Sequence, residues 1–406
     1  MNPDELLTAT LGAVTLVGVA IGRFPSLKMN RATIALVGAI ALVACGSLSL
    51  EEAYATIDWN TILLLFGMMV LNVNLRMAGF FHLVTSTVVK YARTPRRLLA
   101  LLVGVSGVFS AIFLNDTIVL VFTPLVLDVT LALKRNPLPY LVGLVTAANI
   151  GSVGTIAGNP QNMLVGLSSG IPFLDFSRAL APIGAIGLAV AWGVLVLVYR
   201  REFVPVKLED AAPFAFQTQP ALLRKSLVAI VLLGAALVGG VPVPLAAALA
   251  AALLLITRRT EPERVFQEID WGLLVFFCGL FVVTGAVGTS GLGEKLFAAL
   301  RPYTSGGPLP LTLVSSILSN VVSNVPAVML FRPIVPTLPD PHTAWLTLAM
   351  ATTLAGNLTL LGSVANLIVA EIARKRGVCL GFGEYLKAGA PIAILTLAVG
   401  VAWLSR

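Results

Sequence analysis

SAIFLNDTIVLVFTPLV, residues 110–126, sets an Asn-Asp-Thr triplet (Asn115, Asp116, Thr117) inside a long apolar run. A cousin, SNVVSNVPAVMLFRPIV, occupies residues 319–335, so that Ser110 falls on Ser319, Asn115 on Asn324 and Pro124 on Pro333. Two more blocks repeat in the same order. DWNTILLLFGMMV from Asp58 matches DWGLLVFFCGLFV from Asp270. ANIGSVGT from Ala148 matches GNLTLLGS from Gly356, which puts Asn149 on Asn357, Gly154 on Gly362 and Thr155 on Ser363. Three ordered matches at a nearly constant offset indicate an internal duplication.

The duplicated chain is far too apolar for water. Of its 406 residues, 57% are hydrophobic and 11% charged, against about 25% charged in a soluble domain. A bilayer is the natural solvent, and the composition reads as a polytopic membrane protein. The net charge of +8 does not point to nucleic acid, because the basic residues stand in short clusters between apolar segments, where they act as topology signals. Cys45, Cys278 and Cys379 are scattered, form no CxxC, and read as buried or incidental thiols. An acidic start, MNPDEL, precedes the first apolar segment, so no cleavable signal peptide is expected.

Spanning segments are expected at 6–22, 33–50 and 59–80, followed by an amphipathic stretch at 81–91. Residues 97–133 are long enough for two short helices. Residues 138–167 form a span broken by Gly, Asn and Pro, and 176–199 follow. The second half gives 226–241, 244–257, 271–291, 309–335, 345–373 and 389–404. The basic clusters around Arg31, Arg97, Arg200, Arg224, Arg258 and Arg374 should be cytoplasmic; the acidic N-terminus and the acidic loop from Glu51 should be outside. These assignments agree only if 97–133 enters and leaves on the cytoplasmic side. The expected architecture is all-α: two inverted repeats with ten transmembrane helices and two opposed re-entrant hairpins. The first repeat covers 1–200, with a hairpin entering from the cytoplasm at 97–133. A cytoplasmic connector covers 201–223. The second repeat covers 224–406, with a hairpin entering from outside at 309–335. Both termini are expected outside.

A hairpin tip inside the membrane exposes backbone groups that only protein or a water-filled cavity can satisfy. Asn, Ser, Thr and Gly suit that task. The tips are expected at Asn115-Asp116-Thr117 and at Ser323-Asn324-Val325-Pro326, and the matching helix breaks at 149–158 and 357–363. The candidate substrate residues are therefore Asn115, Thr117, Asn149, Thr155, Asn159, Ser323, Asn324, Asn357 and Ser363. Asp116 is the one carboxylate placed at a tip near the middle of the membrane, where an ionised carboxylate is costly. It is the candidate for proton coupling; an alternative role is to cap the second hairpin helix. Val325 stands at the equivalent place in the second hairpin, and no Arg or Lys is expected at either tip. Arg332 and Asp128 read as interfacial.

The NDT…TPLV hairpin, the SNVVSNVP hairpin and GNLTLLGSVANLIVAE (356–371) resemble the ion transporter superfamily, which includes the ArsB arsenite/antimonite permeases, the dicarboxylate symporters and related anion permeases. The resemblance runs from about residue 6 to about 404. Within it, FLNDTIVLVFTPLV resembles the first hairpin of ArsB, and GNPQNMLVG at Gly158 is similar to the broader anion-permease branch. The resemblance implies export of arsenite or antimonite across a bacterial inner membrane in exchange for protons, with a soluble ArsA-type ATPase as partner in some members. It equally implies, as the alternative, a sodium- or proton-coupled anion or dicarboxylate carrier. No cofactor is expected. Without HExxH or GxSxG, and with neither histidine in a spanning core, the residues argue against an intramembrane enzyme. No P-loop is present, so ATP dependence would have to come from a partner.

Overall fold

The computed structural model describes residues 3–22, 28–204, 208, 218–256, 261–289, 304 and 306–406. The basic residues Arg23, Arg258 and Arg259, much of the connector and the end of the segment expected at 271–291 lie outside the described residues. Among the described residues all regular structure is helical. The first half contains α1 (Pro3–Ile21), α2 (Arg31–Ala44), α3 (Leu50–Thr56), α4 (Trp59–Met77), α5 (Phe80–Tyr91), α6 (Pro95–Ile112), α7 (Asn115–Ala132), α8 (Pro137–Ser152), α9 (Pro160–Ser169) and α10 (Phe173–Val198). The second half contains α11 (Pro220–Val238), α12 (Val243–Leu255), α13 (Pro262–Gln267), α14 (Trp271–Thr289), α15 (Pro308–Val322), α16 (Asn324–Phe331), α17 (Pro341–Ala355), α18 (Val364–Lys375) and α19 (Phe382–Leu404). Among the described residues, seven helices are long and apolar enough to cross a membrane: α4, α6, α7, α10, α11, α14 and α19.

The helix starts follow from local chemistry. Pro95, Pro137, Pro160, Pro220, Pro308 and Pro341 stand at first-turn positions, where a missing N–H costs nothing. Asp58 caps α4 and Thr94 caps α6. The acidic stretch expected as a loop is instead the short helix α3. Ser49 and Glu52 close a reciprocal capping box there, satisfying two orphan N–H groups at once. The Ser49 N–H holds the Glu52 carboxylate below its usual range.

The expected hairpins appear as helix pairs. Between α6 and α7 lies a two-residue turn, Phe113-Leu114, and both side chains are buried. The Asn115-Asp116-Thr117 triplet is the first turn of α7 rather than the connection itself. In the second pair a single residue, Ser323, separates α15 from α16, and α16 is much shorter than α7. The two broken spans are resolved as α8–α9 and α17–α18. Asn149 still belongs to α8, so the first break starts later than expected, after Ser152. The connector also ends earlier, because α11 begins at Pro220.

Packing is duplicated along with the sequence. Helix α6 packs on α8 as α15 packs on α17, α1 on α2 as α11 on α12, and α10 on α8 as α19 on α17; α10 and α19 pack on each other. The crossing of α4 with α12 has its counterpart in that of α14 with α2. In both crossings a glycine lies against an alanine backbone. A Cβ on Gly67 would sit 2.8 Å from the Ala247 carbonyl oxygen, and one on Gly279 would sit 2.7 Å from the Ala35 carbonyl carbon. Gly67 and Gly279 are partners in the Asp-Trp repeat, so the same close approach is used twice. Small residues at such contacts let membrane helices approach backbone to backbone.

Among the described residues, four long-range ion pairs tie helix ends together: Arg76–Glu268, Arg135–Glu202 (2.7 Å), Arg376–Asp128 (2.7 Å) and Arg332–Asp58 (3.6 Å). Each joins two ends that the charge pattern assigns to the same side. Two of the three thiols, Cys45 and Cys379, are exposed rather than buried, and Cys278 is half-buried.

Gly67→Ala and Gly279→Ala are each expected to destabilise the protein by about 1–3 kcal/mol through overpacking. Thermal unfolding in detergent checks this, and two equal losses are the signature of duplicated crossings.

Candidate functional site

The two broken spans meet where the two hairpin turns arrive. Each break leaves carbonyls without helical partners, and in both an asparagine amide collects them. The Asn162 amide donates to the carbonyls of Ser152 (3.0 Å), Val153 (3.3 Å) and Thr155 (3.0 Å). The Asn366 amide donates to those of Gly356 (2.8 Å) and Thr359 (2.9 Å). Both residues lie in the first turn of the helix that restarts the span, three positions after Asn159 and Ser363 respectively. Asn159 is therefore the structural counterpart of Ser363, and Gly158 that of Gly362. The sequence match of Thr155 with Ser363 is displaced by four residues, because the first break carries an additional helical turn, Ile156–Gly158.

Asn149 is the hub. Its amide nitrogen donates to Asn357 Oδ1 (2.9 Å) and Asn366 Oδ1 (3.1 Å). Its oxygen accepts from Asn115 Nδ2 (3.2 Å) and Ser363 Oγ (3.3 Å). All four of its hydrogen-bonding positions are used, and they join α8 to α7, α18 and the α17–α18 break. On the second side, the Asn324 amide meets its surroundings with its nitrogen toward the Gly362 carbonyl (3.1 Å) and its oxygen toward Gln161 Nε2 (3.3 Å). Ser323 precedes it at φ 80° and ψ 160°, a region other residues leave to glycine and a local strain.

In front of this network lies a cavity of about 390 Å³. Of the residues expected at the site, Asn115, Asp116, Ser323, Asn324 and Ser363 line it. Asn149 and Asn357 are buried behind the lining; Asn357 also donates to the Thr146 carbonyl (3.3 Å). Asn159 is fully buried, bonding Ser152 Oγ (2.8 Å) and capping α9. The Thr155 hydroxyl donates to the Ala111 carbonyl and so pins the end of α6. The Thr117 hydroxyl accepts from Asn72 of α4 (3.3 Å). These last three hold the framework and are not among the lining residues.

The cavity also gathers residues that the sequence reading left out. Arg31, read there as a topology signal, lines it together with Gln161, Asp270 and Glu371. Arg31 and Asp116 are half-buried, whereas Asp270 and Glu371 are exposed. Glu371 pairs with Lys375 (3.4 Å), and Asp270 accepts from the Leu273 N–H (3.0 Å). Among the described residues six helices begin at the cavity wall: α2 at Arg31, α7 at Asn115, α9 at Pro160, α14 behind its Asp270 cap, α16 at Asn324 and α18 at Val364. Each helix start carries about half a positive charge. The interior thus offers amide and hydroxyl groups, one guanidinium, one carboxylate and several helix starts, behind an acidic rim.

Helices of spanning length, two broken spans and a polar cavity where they cross define a multi-pass membrane transporter. The chain belongs to the citrate transporter (CitMHS) family, which it matches over residues 16–355. It is 31% identical to an uncharacterized transporter of Mycobacterium tuberculosis, over 97% of both chains. It is 29% identical to the silicon efflux transporter LSI3 of Oryza sativa subsp. japonica, over 98% of this chain and 99% of the relative. A Dictyostelium discoideum protein provisionally named transporter arsB is 23% identical over 92% of this chain and 87% of the relative. Family and relatives are transporters, not enzymes.

Asn149→Ala is expected to cost more than about 2 kcal/mol, since it strands several buried donors and acceptors at once. Denaturation of the purified variant measures it, and an unchanged midpoint would show that the hub carries little weight.

Proposed function

We propose that the protein is a secondary active transporter that exports a small uncharged hydroxylated oxyacid, arsenite or antimonite, across a bacterial inner membrane in exchange for protons. The observation that carries this reading is the charge balance of the cavity. Arg31 is matched by Asp116 in the lining, and the helix starts stand behind the exposed acids Asp270, which caps α14, and Glu371, which is shared with Lys375. A site with one guanidinium matched by one carboxylate, rich in amides and hydroxyls, suits a neutral trihydroxide better than a polyanion that would have to pass an acidic rim. The names of two relatives, one a silicon efflux transporter and one an arsB transporter, point toward small inorganic solutes. Asn115, Asn324, Ser323 and Ser363 supply the polar contacts, and Asp116 carries the coupling proton; Thr117, Asn149, Thr155, Asn159 and Asn357 set their positions. Whether a soluble ArsA-type ATPase assists is a property of the partner. A second reading, a sodium- or proton-coupled anion or dicarboxylate carrier, is favoured by Arg31 and by the converging helix starts, and it accords with the family's name.

The architecture we infer is that of two inverted repeats, 1–200 and 224–406, with ten spans and both termini outside. The pairs α6–α7 and α15–α16 are then re-entrant hairpins. The buried turn at Phe113-Leu114 and its bond through Asn115 to the middle of a broken span support a tip inside the protein. The cavity is rimmed by residues assigned to the cytoplasmic side, which makes this an inward-facing arrangement. The Arg332–Asp58 pair lies on the opposite side.

The exposed thiols test the topology. In intact cells a membrane-impermeant maleimide is expected to label Cys45, while Cys379 reacts only after permeabilisation; the reverse order would invert the orientation.

Everted vesicles carrying a proton gradient test the function, with arsenite, succinate and citrate offered separately, with and without sodium. The expected outcome is proton-driven arsenite accumulation that Asp116→Asn abolishes. Succinate or citrate movement without arsenite movement would place the protein with the anion carriers.

A further inference from the structure

We propose that the amide oxygens of Asn115 and Gln161 select the solute by its hydroxyl hydrogens: the cavity takes an uncharged acid that donates two O–H groups and disfavours an ionised anion that can only accept. The inference deepens the reading of this cavity as the solute site and rests on it.

The polarity of the amide network is set from behind, by backbone carbonyls that can only accept. The Asn366 nitrogen is committed to the Gly356 and Thr359 carbonyls, so its oxygen is the atom that receives Asn149 Nδ2 (3.1 Å). Asn149 then has its oxygen left for Asn115, whose nitrogen donates to it (3.2 Å). A second chain runs the same way. The Asn162 nitrogen is committed to the carbonyls of the first break, and its oxygen accepts from the Thr353 hydroxyl of α17 (3.2 Å). With its hydrogen so used, Thr353 Oγ1 accepts from Gln161 Nε2 (3.2 Å), which also reaches Asn324 Oδ1 (3.3 Å). Neither chain can be reversed without turning an amide oxygen onto backbone carbonyls.

Both chains end on a residue of the cavity wall whose nitrogen is taken and whose oxygen is not. Asn115 and Gln161 are buried and both line the cavity. Among the described residues nothing donates to Asn115 Oδ1 or to Gln161 Oε1. A buried acceptor is costly until a donor meets it. The helix starts supply the complementary groups: α7, α16 and α18 begin without a side-chain cap bond, and first-turn N–H groups have no partner within their own helix. A hydroxyl can donate to the amide oxygens and accept from the N–H groups at once, whereas a carboxylate can only accept. Counted from the start of the restarted helix, Ala365 is the second-half counterpart of Gln161, so this acceptor belongs to one half alone.

Binding to the purified full-length protein tests the proposal, with Cys45, Cys278 and Cys379 changed to Ser because trivalent arsenic bonds thiols. The probes are arsenous, methylarsonous and dimethylarsinous acid, uncharged near neutral pH and bearing three, two and one hydroxyls. The step from two hydroxyls to one leaves an amide oxygen unmet and is expected to raise Kd about tenfold. Gln161→Met keeps the bulk, removes one acceptor, and should abolish that step by weakening the two-hydroxyl probe. A Kd indifferent to hydroxyl number, a step that persists in Gln161→Met, or succinate bound more tightly than all three probes would overturn the proposal. The series in the parent protein decides even where the variant does not fold. Hydroxyl-dependent binding without proton-driven arsenite movement in everted vesicles would defeat the export reading and leave this inference standing.

Discussion

A broken helix inside a membrane leaves carbonyl groups with no ladder partner and no bulk water, and an unsatisfied group there costs several kcal/mol. The fold depends on how this chain meets that constraint twice. Asn162 and Asn366 each donate to the loose carbonyls of their own break. Asn149 then ties both breaks and the first hairpin turn into one network. Only with the backbone satisfied from behind can the front surface present amides, hydroxyls and helix starts to a cavity. The buried polar network is therefore the foundation of the site rather than the site itself.

Duplication supplied the framework and divergence supplied the chemistry. Crossings, broken spans, glycine contacts and amide caps all recur between the halves. The charges do not. Arg31, Asp116 and Glu371 belong to single copies, facing a cavity whose polar floor is shared by both. Asp58 and Asp270 are repeat partners that both cap helices, yet one meets Arg332 and the other stands at the cavity rim. The hairpins diverge as well: α7 is a full-length helix, whereas α16 is short and starts behind a strained Ser323.

The apolar context made the helix breaks and the α6–α7 and α15–α16 pairs legible, because a polar triplet costs too much in an apolar run to be incidental. That argument reports the cost of burying a group but not the direction in which it points. Asn149, Asn357 and Asn159 carry the same sequence signal as Asn115 and Asn324, yet the first three face the framework and the last two the cavity. The amides of Asn162 and Asn366 were visible only as asparagines three places past a helix start, a signal that means little until the break is located. Arg31 was hidden for another reason. A basic residue beside a spanning segment is ordinarily an orientation signal, and only the tertiary arrangement turns this one inward.

The same separation bears on what is carried. A shared framework fixes alternating helices and a cavity at their crossing, and such a framework hosts different solutes. Selectivity then rests on the few groups that the duplication did not fix. A trianion such as citrate would need the guanidinium and the helix starts to prevail over three acids, whereas a neutral oxyacid needs only hydrogen bonds and a place for one proton. In this cavity one guanidinium and one carboxylate share the lining and two further acids stand exposed at the rim, so the electrostatic cost falls on the polyanion. A protonated Asp116 would shift the charge of the lining by one positive unit, so the state of this carboxylate bears on which charge state of solute the cavity accepts.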